Sequence, residues 1–210
     1  MTTPGRRPRL LLASANQGKL RELRTILHGL PVELVGLDEA GRGDPPEVEE
    51  TGETFLANAL LKARAYAAWS GLAAVADDSG LEVDALGGAP GVRSARYAGP
   101  GASDQANLDK LLAELAGVPP ERRTARFRCV AALHDPATQR DDHAEAAWEG
   151  RVLDAPRGSG GFGYDPVFLP DGWDRTSAEV DQPTKDAASH RGKAFRALRP
   201  AIEAWARGQE

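Results

Sequence analysis

Apolar and polar positions along this chain follow two periods, one of strands and one of helices. Residues 9–14 form a compact apolar run around Leu10, Leu11 and Leu12 that predicts a buried strand. After a short polar loop, Leu20, Leu23, Leu27 and Leu30 recur on one face and predict a helix. Residues 31–37 predict a second strand, and residues 38–46 a loop rich in Gly, Pro and acids. Thr54 then reads as the N-cap of a helix over Phe55–Ser70, with Phe55, Ala59, Ala63 and Tyr66 or Ala67 turned inward and Gly71 as its stop. Residues 72–76 predict a short buried strand ending at Asp77 and Asp78, with Ser79-Gly80 turning the chain.

The second half repeats the mixture. Ser103 reads as the cap of a helix carrying Leu108, Leu111, Leu112 and Leu115, with Gly117 beyond its end. Phe127, Cys129, Ala131 and Leu133 alternate with other residues at strand spacing. Asp135-Pro136 starts a turn, and residues 143–152 read as the returning strand of a long hairpin, with His134 and His143 as surface residues near its tip. Residues 167–169 predict a short strand. Ser189-His190-Arg191-Gly192-Lys193 opens a last helix lined by Phe195, Leu198, Ile202 and Trp205, which Pro200 is expected to kink or restart. Hairpin and strand–helix–strand patterns together predict the α/β class, a mixed twisted sheet flanked by helices.

Composition narrows the function classes. The chain has 210 residues, room for one large domain or two lobes sharing a core. Net charge is −5 and no Lys/Arg block occurs, which argues against a nucleic-acid surface; aromatic residues at only 6% argue the same way. The single cysteine, Cys129, excludes an internal disulfide and a cysteine-based zinc site. The apolar stretch behind the basic N-terminus is too short for a signal peptide or a membrane span. Residues 1–8 read as a loose tail before a single domain over 9–210, and the expected location is the cytoplasm.

Four stretches carry candidate chemistry. Ser14-Ala15-Asn16-Gln17-Gly18-Lys19 lies between a strand and a helix, where free backbone N–H groups and the helix dipole attract an anion and Lys19 adds a full charge. An ordinary strand-to-helix turn with a surface lysine fits the same residues. Glu47, Glu49, Glu50 and Glu53 crowd the approach to the second helix; they complement the helix dipole or supply metal ligands. Asp77-Asp78-Ser79-Gly80 suits a carboxylate held at a strand end beside Mg²⁺ and phosphate, and equally a plain polar turn. If the chain stays extended through the two aspartates, only one of them faces a given site. The Gly-rich loop Gly161-Phe162-Gly163-Tyr164-Asp165 lets backbone approach a planar ligand on which an aromatic ring stacks.

Taken together and in this order, these stretches resemble the non-canonical purine nucleoside triphosphate pyrophosphatases. Ser14-Ala15-Asn16-Gln17-Gly18-Lys19 is similar to the family's N-terminal loop, and Glu49-Glu50-Thr51-Gly52-Glu53-Thr54-Phe55 to its acidic segment. Ala76 to Leu81 with Ser94-Ala95-Arg96-Tyr97 is similar to its central signature. The match continues through Gly161 to Pro166, Lys185 and Ser189-His190-Arg191-Gly192. Ser14, where many members have Thr, the extra N-terminal residues and Pro200 are departures.

The resemblance implies an elongated two-lobed fold, with the active site in the cleft between the lobes, a homodimer and dependence on Mg²⁺. It implies hydrolysis of ITP, dITP and XTP to the monophosphate and pyrophosphate, which removes them from the nucleotide pool. Carried over, Glu49 and Asp78 hold the metal, Asp78 activates water, and Glu50 replaces Glu49 if the register slips by one. Residues 14–19 form the loop at the substrate, and Lys19, Lys185 and Arg191 neutralise phosphates. Phe162 stacks on the base within the loop that includes Gly163 and Tyr164; Asp165, His190 and Ser79 contact nucleotide polar groups, and Asp77 supports the site from behind. Two rivals are a nucleotide-binding module without catalysis, whose mark would be a missing metal carboxylate, and a nucleic-acid-binding protein. No such carboxylate is missing.

Overall fold

The computed structural model describes residues 7–40 and 43–209, so most of the expected tail, residues 1–6, lies outside the described residues. Six strands form one sheet in the order β2-β1-β3-β4-β5-β6. β1 (Arg9–Leu12) pairs in parallel with β2 (Glu33–Val35) on one side and with β3 (Ala73–Val83) on the other. β4 (Thr124–Asp135) and β5 (Arg140–Val152) are the expected hairpin, and β6 (Phe168–Pro170) pairs antiparallel with β5. The sheet is therefore mixed, as the alternation of patterns implied. Helices α1 (Gln17–Ile26), α2 (Phe55–Ser70), α3 (Asp104–Glu114), α4 (Gln182–Ala188) and α5 (His190–Arg207) complete the fold.

Helix boundaries follow local chemistry. Asn16, Thr54, Ser103 and Asp181 each cap a helix by accepting a backbone N–H of its first turn. Gly71 closes α2 in the left-handed conformation at φ 71°, which costs glycine nothing. α4 is unanticipated; its signal is Asp181 as cap with Pro183 in the first turn. α5 continues through Pro200, so the helix does not restart there. Pro200 removes one backbone donor. Phe195, Leu198 and Ile202, all buried, anchor the helix on both sides of it, and Arg199 Nη1 donates to the His28 carbonyl at 3.1 Å.

The chain divides into two compact units. The first comprises residues 1–78, 130–145 and 194–210, and the second residues 79–129 and 146–193. In the first, Leu10, Leu11, Leu12, Leu23, Leu27, Ala59, Ala63 and Val75 are buried, which accounts for the apolar stripes of β1, α1 and α2. His134, expected at the surface, is buried here: its Nδ1 meets Asp141 Oδ1 at 2.8 Å, and Arg64 of α2 binds the same carboxylate. His143 is exposed, as expected. In the second unit, Leu81, Val83, Leu108, Leu111, Leu115, Phe127, Trp148, Val167 and Phe168 form one core. Phe127 and Trp148 meet the Phe168 ring edge-on at centroid distances of 4.6 and 5.6 Å. Each such pair contributes about 0.5–1.5 kcal/mol beyond its buried area.

Candidate active site

β3 does not end at the paired aspartates. It runs on through Asp77-Asp78-Ser79-Gly80 to Val83, so the expected turn is replaced by an unbroken strand. Strand geometry sends the two carboxylates to opposite faces, and the partners confirm the division. Asp77 Oδ2 accepts from Lys19 Nζ at 3.0 Å. Asp78 Oδ2 accepts from Asn58 Nδ2 at 3.1 Å, and its Oδ1 lies 3.4 Å from Lys62 Nζ. Both aspartates are buried.

The loop before α1 is tied by two of its own side chains. Ser14 Oγ accepts from Asn16 N at 3.2 Å, and Asn16 Oδ1 accepts from Lys19 N at 3.1 Å. Ala15, Asn16 and Gln17 are exposed, and Gly18 is half-buried beside them at the helix start. Lys19, held by Asp77, brings its charge to this end of α1.

The acidic segment meets Asp78 through a residue that the sequence reading did not single out. Lys62 Nζ lies 2.5 Å from Glu50 Oε1, and so bridges Glu50 and Asp78. Glu50 is the carboxylate brought to Asp78, whereas Glu49 is exposed. Burial pushes the Asp78 carboxyl above the usual range; Glu50 adds to this, while Lys62, Asn58 and Lys19 oppose it. Burial works to lower the Lys62 ammonium, but the charges of Asp78, Asp77 and Glu50 outweigh it and hold the ammonium above its ordinary value. The available signal was Asn58 and Lys62 standing four residues apart on a helix whose other inward positions are mainly small or aromatic.

Among the described residues no group of three or more Asp, Glu, His or Cys side chains is arranged to hold a metal. Two carboxylate segments converging on one cation nevertheless fit Mg²⁺, a hard ion that takes one or two carboxylates and completes its shell with water and phosphate oxygens.

The second unit holds the other expected residues around Asp165. Its Oδ2 accepts from Phe162 N at 2.8 Å and from Lys185 Nζ at 2.6 Å, and its Oδ1 accepts from Ser177 Oγ at 2.8 Å. A Cβ on Gly161, at φ 72°, would lie 2.0 Å from Asp165 Oδ2, so the loop closes on the carboxylate only with glycine there. The half-buried Phe162 ring has Lys185 Nζ at 5.1 Å and the Arg191 guanidinium at 5.6 Å from its centroid. Gly163 N donates to Asp104 Oδ2 at 2.9 Å.

Tyr164 is buried, donates its hydroxyl to the Ser94 carbonyl at 2.8 Å, and has its phenol pushed upward by burial. His190 lies flat on Phe127, centroids 4.8 Å apart. Ser79 is half-buried within β3. The structure thus gathers Phe162, Asp165, Lys185 and Arg191 into one group. Tyr164 and His190 are as buried as Asp165, Lys185 and Arg191.

A mixed α/β chain with these two constellations belongs to the Ham1 family, whose profile matches residues 10–201. Among named relatives, the dITP/XTP pyrophosphatase of Streptomyces coelicolor is 55% identical over 197 residues, covering 92% of this chain and 96% of that protein. That of Frankia alni is 56% identical over 198 residues, covering 90% and 95%. Among solved structures, a HAM1 protein from Coxiella burnetii superimposes with a TM-score of 0.83 at 41% identity, over 93% of this chain and 98% of that one. A nucleoside-triphosphatase, or dITP/XTP pyrophosphatase, from Mycobacterium abscessus gives 0.72 at 48% identity over 90% and 98%. No helix among the described residues is long and apolar enough to cross a membrane.

Proposed function

We propose that this chain hydrolyses ITP, dITP and XTP to the nucleoside monophosphate and pyrophosphate. The observation that carries the reading is the Glu50–Lys62–Asp78 cluster, with Lys19 and the start of α1 in the same unit. The names of the relatives support the same substrate class.

Asp78, with Glu49 or Glu50 from the acidic segment, is the ligand set for Mg²⁺; bound there, the ion would neutralise phosphate charge and lower the pKa of water. Asp78 also serves as the acceptor for the proton of the attacking water. The water oxygen bonds to the α-phosphorus, the bond to the bridging oxygen breaks, and pyrophosphate leaves with the electron pair while the proton passes to Asp78. Lys19, Lys62 and the backbone N–H groups at the start of α1 stabilise charge on the phosphate oxygens.

Phe162 stacks on the base, and Lys185 and Arg191 offer donors beside that ring. This reading moves Lys185 and Arg191 from the expected phosphate role to the base end, because Lys185 is anchored by Asp165 next to Phe162. A 6-oxo purine accepts such donors, whereas adenine presents an amino group and leaves each unmet donor costing roughly 1–3 kcal/mol. The proposed form is a homodimer, which sedimentation of the purified protein tests, and the proposed location is the cytoplasm.

Asp78→Asn should keep the fold and lower kcat about 10²–10⁴-fold. Near-wild-type pyrophosphate release from ITP by this variant would remove Asp78 from the mechanism. Release of orthophosphate alone would remove the reaction type.

A further inference from the structure

Asn58 lies in the first turns of α2 and has no exposed surface. Its two amide atoms serve two different segments. Oδ1 accepts from Gly52 N at 2.8 Å, within the segment that carries Glu49 and Glu50. Nδ2 donates to Asp78 Oδ2 at 3.1 Å on β3. Asp78 Oδ1 is left directed toward Lys62 and, through it, Glu50.

No smaller change reproduces this link. Alanine supplies neither bond. Aspartate accepts from Gly52 but cannot donate to Asp78 when ionised, and it sets a like charge against it. The partner position is equally constrained. A Cβ on Gly52 would lie 2.5 Å from Asn58 Oδ1 and 2.8 Å from Ala57 Cβ, so only glycine brings its N–H to the amide. A buried donor and acceptor, each used once, fix the amide in one orientation and with it the rotation of the Asp78 carboxylate.

We propose that Asn58 is a positioning residue for metal binding. It locks Asp78 against the acidic segment so that the carboxylates of both stand at ligand spacing before metal or nucleotide arrives. The proposal rests on the reading of Asp78 as a metal ligand. Partners that orient metal ligands typically contribute 10–100-fold in affinity or activity, and Asn58, like Lys62, ties one ligand-bearing segment to the other.

The test measures Mn²⁺ binding to the full chain by electron paramagnetic resonance, without nucleotide, for the wild type and Asn58→Ala, Asn58→Ser, Gly52→Ala and Asp78→Asn. Circular dichroism confirms folding. The expected result is a Mn²⁺ dissociation constant raised about 10–100-fold in folded Asn58→Ala or Asn58→Ser. Gly52→Ala should show a similar rise, and Gly52→Ala added to Asn58→Ala no further loss. An asparagine that served only the fold would lower the melting temperature without changing the Mn²⁺ affinity of the folded protein.

A rise above threefold in any folded single variant at position 58 supports the proposal, and a smaller one overturns it. If neither folds, Gly52→Ala is judged by the same threshold. Failure of the wild type to bind Mn²⁺, or undiminished binding by Asp78→Asn, instead overturns the metal-ligand reading beneath it.

Discussion

Replacing Asp165 with Asn tests how the second unit holds its candidate base-binding group. Asp165 and Lys185 are each 3% exposed, and the carboxylate accepts from the ammonium at 2.6 Å. The amide keeps the shape but loses the charge, so Lys185 loses the carboxylate against which it is buried. Breaking a buried ion pair by neutralising one member costs about 3–5 kcal/mol. One amide oxygen remains to accept from Phe162 N or Ser177 Oγ, which places Asp165→Asn at the lower end, about 3 kcal/mol. Asp165→Ala forfeits both of those bonds as well, at about 1 kcal/mol each, and should reach about 5 kcal/mol. For a chain of this size 3 kcal/mol lowers Tm by roughly 6–12 °C. Urea unfolding followed by tryptophan fluorescence reads both units, the second through Trp148 and Trp173 and the first through Trp69 and Trp205, and comparing it with far-UV circular dichroism shows whether the transition is two-state. A loss below about 1 kcal/mol for Asp165→Asn refutes the reasoning, since that is the range of an exposed pair.

Lys62→Met should destabilise the metal-free protein by about 3 kcal/mol by removing the ammonium between Glu50 and Asp78. Saturating Mg²⁺ should restore part of this loss by binding the folded state; no Mg²⁺ dependence of Tm in the variant would contradict the fit of the site to that ion. Lys19→Ala should weaken ITP, XTP and GTP by a similar factor, measured as kcat/KM, because Lys19 stands at the start of α1, the proposed phosphate end, and away from the Phe162 loop in sequence; a reversed order among the bases would contradict this. Asp141 is held below the ordinary carboxylate range chiefly by its hydrogen bond from Arg64, with His134 adding to it against the cost of burial. A lowered folded pKa stabilises at pH above the unfolded value of about 3.9, and that stabilisation is lost as pH falls through the folded value. Asp141→Asn should therefore flatten the acid limb of the Tm–pH curve below about pH 4, and an unchanged limb would show that the Arg64 pair is not coupled to folding.

Where local signals agreed with the global fold, the sequence read true. β1, α1, α2 and the β4–β5 hairpin have apolar periodicity, caps and stops that all point the same way. The misses at polar residues share one physical cause, a partner from elsewhere in the chain that changes what the residue can do. His134 looked like a surface residue because it stands beside a turn; it is buried because Asp141, itself bound by Arg64 from α2, meets its ring. Lys62 looked like an ordinary helical lysine, and only the arrival of Glu50 and Asp78 from two other segments makes it part of the site. In the Phe162 loop the glycine signal was legible, but the anchoring of Lys185 by Asp165 joins residues 20 apart and has no local periodicity.

The extension of β3 shows the same cause acting on backbone. Asp-Asp-Ser-Gly is poor strand sequence, and its local preference is a turn. A turn would leave the two carboxylates free to splay on one side. In a strand they must separate, and each then needs its own cation or donor when buried. The first unit supplies both: Lys19 on one face, Asn58 and Lys62 on the other. Those partners hold the chain extended against its preference. The same separation assigns the aspartates different work. Asp77 holds the lysine at the start of α1, and Asp78 faces the acidic segment. Strand geometry at two adjacent residues thus converts one acidic dipeptide into a support and a candidate catalytic carboxylate, and exchanging either aspartate for asparagine should fail in a different way. Asp77→Asn should reproduce the uniform loss of Lys19→Ala across triphosphates with Mn²⁺ affinity kept, whereas Asp78→Asn should lose Mn²⁺ affinity and kcat together. Identical phenotypes for the two would refute the division.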